Sequence, residues 1–248
     1  MKYSCQKIQN KSVTRFQKKF IYKPSDLGFS GVIGDGRSVS IAIIDTGVPS
    51  HKDLCNIQTG DNFSQSNTLQ DKNGHATCVS GILNSNGGSL MGICPGSTVL
   101  YLKAINDNGL GDFANVQAAF LSAIINRVDI ILMPFGSTIK SDLMQDVVYK
   151  AIDRNVHVIA ADGRNKQNYP AGFDNVISVG GEQSHLRIDA LSKFPTSYLN
   201  NTYTRVSGSS FESAVVAGVC ALILQQNKAK GCTLSCKNMI DIICSRKK

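Results

Sequence analysis

The stretch from Val206 to Leu224 constrains this chain more than any other. Ser207-Gly208-Ser209-Ser210 opens it, and an apolar run of helical length follows. A helix that is apolar on every side has no solvent face, so it reads as the central helix of a sizeable core. The chain's 248 residues are enough to build one large α/β domain around it. Ser210 falls in the first turn, where free backbone N–H groups and the positive dipole end favour developing negative charge. That placement suits a serine nucleophile. It equally suits an ordinary capping serine.

Two further stretches bear on the choice. Val39-Ser40-Ile41-Ala42-Ile43-Ile44-Asp45-Thr46-Gly47-Val48 is a short β-branched run ending in a carboxylate and a glycine turn. Asn73-Gly74-His75-Ala76-Thr77-Cys78-Val79-Ser80-Gly81 reads as a glycine turn opening a helix. A serine hydroxyl is a weak nucleophile at neutral pH. It needs a base to take its proton and a third group to orient that base. Asp45, His75 and Ser210 supply all three in the chain order Asp, His, Ser. Three other histidines compete. His51 follows the Asp45 turn closely, His157 lies in a strand-like run and His185 in a loop, so each reads as structural or solvated.

The boxes Asp45-Thr46-Gly47, His75-Ala76-Thr77 and Gly208-Ser209-Ser210 resemble the Asp-Ser/Thr-Gly, His-Gly-Thr and Gly-Thr-Ser boxes of the subtilisin-like serine proteases, the subtilases. The resemblance covers roughly residues 28–225. It implies a subtilisin-like α/β fold: a doubly wound, mostly parallel sheet with helices on both faces. The alternation of β-type runs with helical patterns argues for the same architecture. It also implies a peptide substrate added as a strand beside Gly109, Leu110 and Gly111, with Pro134, Phe135 and Gly136 walling the first specificity pocket and Asn168 and Ala171 near its floor.

Several positions depart from the pattern. Ala76 stands for a glycine, Ala214 for a proline, and Glu212 for a small residue two positions after Ser210. In the family an Asn side chain donates to the developing oxyanion. An ungapped reading puts Arg164 at that place, Asp162 is acceptor-only when ionised, and Asn165 has the right amide one residue on. We assign the role to Asn165, with Arg164 next. The turn at Asn84–Gly88 is short for a family calcium loop, although Asp53 could supply one ligand. No cofactor is needed for the chemistry, and no catalytic metal is assigned. The stretch between Val179 and Ser207 is short, so a surface hairpin or strand is expected to be missing.

The pattern predicts helices from His75 to about Leu83 and over Ala114–Asn126, Lys140–Asn155 and the apolar run after Ser210. Strands are predicted up to Asp45 and over Thr98–Ile105, Val128–Met133, Val156–Ala161 and Val176–Val179. Residues 55–72 read as a polar loop. The domain organisation is a basic arm at 1–27, the peptidase domain at 28–225, and a basic, cysteine-containing tail or helix at 226–248.

Charge is concentrated at the ends. Residues 1–25 hold seven Lys/Arg and no acid, and residues 225–248 hold six against Asp241. The net +8 therefore becomes +7 and +5 at the ends and −4 in the body. These are solubilising tails or contacts for anionic partners. No nucleic-acid motif favours the second, so no nucleic acid is expected. No run of about 18 apolar residues marks a membrane span, and no apolar signal core opens the chain. The eight cysteines then read as free thiols in a reducing, cytoplasmic setting. The spacing of Cys232, Cys236 and Cys244 matches no standard zinc pattern. The expected activity is limited processing of an intracellular protein or precursor peptide. The alternative is a pseudoprotease that binds peptides without cutting them, with Glu212 and the altered oxyanion turn as its marks. The basic arm is a candidate self-inhibitor, with Phe20-Ile21-Tyr22-Lys23-Pro24 as its extended apolar segment.

Overall fold

The structure, a computed structural model, describes residues 2–5, 8, 12–163 and 168–248. The strands in chain order are β1 (Lys2–Ser4), β2 (Phe20–Ile21), β3 (Ser40–Asp45), β4 (Ile57–Asn62), β5 (Leu90–Met91), β6 (Thr98–Lys103), β7 (Leu110–Asp112), β8 (Ile130–Met133), β9 (His157–Ala161), β10 (Ile177–Val179), β11 (Phe194–Tyr198) and β12 (Thr202–Val206). The helices are α1 (His75–Asn84), α2 (Phe113–Ile125), α3 (Asp142–Ile152), α4 (Ser209–Lys228) and α5 (Cys236–Arg246).

Six strands form one sheet in the order β10-β9-β8-β3-β6-β4, and all its pairings are parallel. Alternate side chains of each strand feed opposite faces. Ile41, Ile43, Val99, Tyr101, Ile130 and Leu132 enter the core shared with α1 and α4. Ala42, Ile44, Leu100, Leu102, Ile131 and Met133 enter the core shared with α2 and α3. The doubly wound architecture with helices on both faces is therefore observed. Strand order departs in both directions from β3. In open α/β sheets such switch points, outside the carboxyl ends of the strands, are where ligands bind. Asp45 is the last residue of β3.

Every residue of α4 from Ser210 to Leu224 is buried. By length and composition this helix could cross a membrane, but most of its apolar window is packed inside the molecule, as in the core helix of a folded domain. Truncating Leu222 to Ala there should cost about 2–5 kcal/mol.

Two expectations change. The polar loop expected at 55–72 contains β4, which pairs with β6 at the sheet edge and exposes most of its side chains. The short stretch between Val179 and Ser207 holds the antiparallel pair β11-β12. Phe20 and Ile21 lie parallel to Leu90 and Met91, and Tyr22 donates its hydroxyl to Pro195 O at 2.7 Å. That extended segment is therefore part of the body and does not lie over the cleft described below. Of the two forms expected for residues 226–248, the helix is observed: α5, whose Met239 and Ile243 are fully buried in the α4 core.

Candidate active site

The turn after β3 is held from three sides. Gly47 adopts φ +136°, and a side chain there would run into the backbone at Leu69–Asp71. Thr46 donates its hydroxyl to Asp71 Oδ1 at 2.9 Å and accepts from Ala76 N at 3.0 Å. Lys103, fully buried, donates from Nζ to Thr46 O at 2.7 Å, Gln70 O at 3.0 Å and Asp107 Oδ1 at 2.6 Å.

Asp71 fixes the start of α1 in the same way. Its carboxylate accepts from Gly74 N and Thr77 N, both at 2.8 Å, and from Thr77 Oγ1 at 2.6 Å. A carboxylate at these orphan N–H groups replaces a capping side chain. His75, the first residue of α1, is thereby set against Asp45. Its Nδ1 lies 2.9 Å from each carboxylate oxygen of Asp45. Burial pulls the His75 pKa down, but the Asp45 charge, its hydrogen bond and the charge of Asp71 outweigh this and raise it above the ordinary histidine value. The far nitrogen, Nε2, is buried and makes no hydrogen bond.

Ser210 sits in the first turn of α4, which packs against α1. The next residue, Phe211, has its ring centroid 5.5 Å from that of His75. Asp45 and His75 are thus in bonding contact, and Ser210 stands at the start of the facing helix without a bond to Nε2. Ser210 opens onto a cavity of about 390 Å³ whose walls include Phe135, Gly136, Ala161 and Asn168. Pro134 leads into that wall from the end of β8.

The chain's own amino-terminal strand lies in the adjoining groove. β1 pairs antiparallel with β7, with Lys2 opposite Asp112, Tyr3 opposite Gly111 and Ser4 opposite Leu110. Cys5 N donates to Gly109 O at 3.0 Å, and Ser4 bridges to Gly136 on the other side. The residues expected to receive a peptide strand, Gly109, Leu110, Gly111 and Gly136, are therefore contacted by residues 2–5 of this chain. Tyr3 is fully buried, its ring centroid 4.7 Å from Phe113 and 5.4 Å from Phe135.

Glu212 is buried, and its carboxylate accepts from Ile188 N at 3.0 Å. Asp162 accepts from Gly163 N at 2.9 Å, Asn168 N at 2.8 Å and Ser184 Oγ at 3.0 Å. Asn165 and Arg164 lie outside the described residues. Asp53 accepts from the Tyr203 hydroxyl at 2.7 Å. His51 Nε2 is bonded to Thr202 O at 3.0 Å, and His185 Nδ1 to Ser178 Oγ at 2.8 Å. Three residues were missed by sequence reasoning: Asp71, Lys103 and Cys5. Only Asp71 had a local signal, the Asp-x-Asn-Gly turn before a helix.

The Subtilase family model matches residues 36–243. The chain is 31% identical over 214 residues to the minor extracellular protease Epr of Bacillus subtilis, covering 79% of this chain and 33% of that one. It is 31% identical over 215 residues to subtilisin DY of Bacillus licheniformis, covering 77% of this chain and 78% of that one. The chain thus spans a third of the first relative and most of the second. A solved cold-adapted subtilisin-like serine proteinase superposes with a TM-score of 0.76 at 24% identity, over 87% of this chain and 84% of its own. That likeness bears on the fold.

Proposed function

This chain belongs to the subtilase family of serine endopeptidases, and we propose that it cuts peptide bonds with Ser210 as nucleophile, His75 as general base and Asp45 as the group that orients His75. The observation that carries the reading is the Asp45–His75 contact at 2.9 Å, at the start of a helix that faces the start of α4. Asp45 accepts the Nδ1 proton, which leaves Nε2 as the basic nitrogen. Ser210 Oγ attacks the scissile carbonyl while its proton passes to Nε2. His75 then returns that proton to the leaving amine, and Asp45 stabilises the imidazolium formed between the two steps. No cofactor takes part. The Ser210 N–H and, on sequence grounds, the Asn165 amide would donate to the oxyanion.

The substrate is an extended polypeptide, added as a strand along Gly109–Gly111 and Gly136. We further propose that residues 2–5 compete for that groove, so that the arm inhibits the enzyme until it leaves. The antiparallel pairing of β1 with β7 supports this. Limited processing in a reducing, intracellular compartment is the proposed setting. All eight cysteines are free, and Cys78, Cys94, Cys220 and Cys236 are buried as thiols. Thiol trapping in the native source should label them as free, and four stoichiometric disulfides would reject the setting. The Ile188 contact gives the Glu212 carboxylate a structural use, so that residue does not favour a non-catalytic reading.

The test of function is the Ser210→Ala variant, assayed on an unstructured protein substrate with folding checked by circular dichroism. Hydrolysis should fall by more than about 10³-fold with the fold retained. Undiminished cleavage would reject the assignment.

A further inference from the structure

Nothing in the peptidase reading requires a thiol beside the catalytic pair, yet Cys5 places one there. A Cys5 Sγ, an Asp45 carboxylate oxygen and a His75 ring nitrogen all lie within 4.8 Å of one another. Among the described residues this is the one such grouping of three potential ligand side chains. His75 and Asp45 are essentially unexposed and Cys5 is half-buried. Its thiol arrives by strand pairing, since the Cys5 N–H is bonded to Gly109 O at 3.0 Å and Tyr3 anchors the same strand between Phe113 and Phe135.

We infer that Cys5, Asp45 and His75 form a zinc site that locks the amino-terminal strand into the cleft and silences the enzyme. The inference rests on the reading of this cleft as the active site.

The donor set is thiolate, imidazole and carboxylate, which zinc accepts together and calcium does not. Donors around a tetrahedral zinc stand about 3.3–3.7 Å apart, so the Asp45–His75 pair, 2.9 Å apart, must open and the Cys5 thiol, within 4.8 Å of both, must close, shifts of about 1 Å or less. Three protein ligands leave the fourth position for water. The ring nitrogen nearest Asp45 is Nδ1, at 2.9 Å.

Zinc entry is a ligand exchange with a defined proton balance. The Cys5 thiol loses one proton to solvent as the S–Zn bond forms. Nδ1 gives up its proton to the metal bond, and the ring takes one back on Nε2, so the imidazole stays neutral. The Nε2–H tautomer has no lone pair to receive the Ser210 proton. The free Nε2 seen here, buried and unpartnered, is the atom this tautomer would block. Zinc therefore acts twice, by holding the arm in the groove and by removing the base. A chelator, or loss of the Cys5 thiol, frees Nε2 and removes the metal's share of the hold on the arm, leaving the strand pairing and the Tyr3 packing.

Cobalt(II) is the probe, because a cobalt–thiolate bond gives a near-ultraviolet charge-transfer band. The full chain carrying Ser210→Ala is used, so that it cannot cut itself. That protein should develop the band on titration with Co²⁺ and lose it on addition of Zn²⁺. Adding Cys5→Ser should abolish the band. Tyr3→Asp keeps all three ligands but unseats the strand, and should weaken Co²⁺ binding beyond the roughly 10–100-fold that changes behind a ligand usually cost. In the otherwise wild-type chain, Cys5→Ser should make peptide hydrolysis at least tenfold less sensitive to Zn²⁺. Absence of the band, or a band of equal intensity after Cys5→Ser, overturns the site. Hydrolysis in chelator without a Cys5-dependent band removes the zinc site and leaves the peptidase reading intact. A Cys5-dependent band in a chain inactive under every condition supports the site and removes that reading.

Discussion

Lys103 Nζ lies 2.7 Å from Thr46 O, inside the molecule and in the turn that follows Asp45. Its charge is balanced by Asp107 at 2.6 Å, whose side chain is 37% exposed. The lysine closes β6 and ties the Asp45–Gly47 turn to the loop after β6. Removing it would leave Thr46 O and Gln70 O without their donor. Lys103→Met should destabilise the fold by about 3 kcal/mol, at the low end for a broken buried pair because Asp107 keeps some water. It should also lower kcat by about 10²-fold through misplacement of Asp45. Urea midpoints and steady-state kinetics check both effects, and a variant with wild-type kcat would remove the positioning role.

The acid limb of activity should follow His75. Burial opposes its protonation, but Asp45 and Asp71 raise its pKa overall, so the base form is lost at a pH above the ordinary value of about 6.5. The limb of kcat/KM against pH should therefore have its midpoint above about 6.5. Asp45→Asn should move it to lower pH while reducing kcat by about 10⁴-fold. The sign for stability is opposite to the sign for activity. A raised folded pKa stabilises fully below the unfolded value and is lost as pH rises through the folded one. A limb that does not move in Asp45→Asn would contradict the coupling.

His157 has the reverse linkage. Burial in β9 lowers its pKa to about 4, against a smaller upward pull from Asp129. A lowered histidine pKa stabilises above the unfolded value and is lost as pH falls. Between about pH 6.5 and about 4 this group should cost the fold up to about 3 kcal/mol. His157→Gln should flatten that part of the stability curve. An unchanged slope would show that His157 is not the buried titrating group.

Much of this was legible beforehand, for identifiable reasons. Strands whose two faces are both buried are apolar throughout, so Ile41–Ile44 and Ile130–Met133 stood out. The Asp45, His75 and Ser210 boxes are local and carry their own turn glycines. β4 was missed because Gln58, Thr59, Gly60 and Asp61 are polar, as an edge strand with exposed side chains can be. Lys103 and Asp71 were missed because a charged residue reads as solvated until its partners are known. The seat of Lys2–Cys5 was illegible because four residues carry no periodicity, and their partners at Gly109–Asp112 are over a hundred positions away.

The arm should behave as a competitor. Tyr3 buries its whole ring between Phe113 and Phe135, so Tyr3→Ala should weaken docking by about 3 kcal/mol or more. Activity in chelator should then rise at least tenfold over wild type, through lower apparent KM. A synthetic peptide carrying residues 1–6 should inhibit the variant competitively. Equal activity of variant and wild type would reject self-inhibition.

Specificity should be apolar or small and uncharged at the residue before the scissile bond. Phe135, Gly136, Ala161 and Asn168 carry no charge to pair with Lys or Arg. Peptide-library profiling checks this, and a profile dominated by basic residues would reject the pocket assignment.

The central claim is that Ser210 is a nucleophile activated by His75 and Asp45. A fluorophosphonate probe reacts with an activated serine hydroxyl, and peptide mapping locates the adduct. In chelator, with the arm released by Tyr3→Ala, the adduct should form on Ser210 at one per chain. It should disappear in Ser210→Ala and slow by more than about 10³-fold in His75→Ala. An adduct on another serine, or none on a chain that still cleaves peptides, would contradict the account.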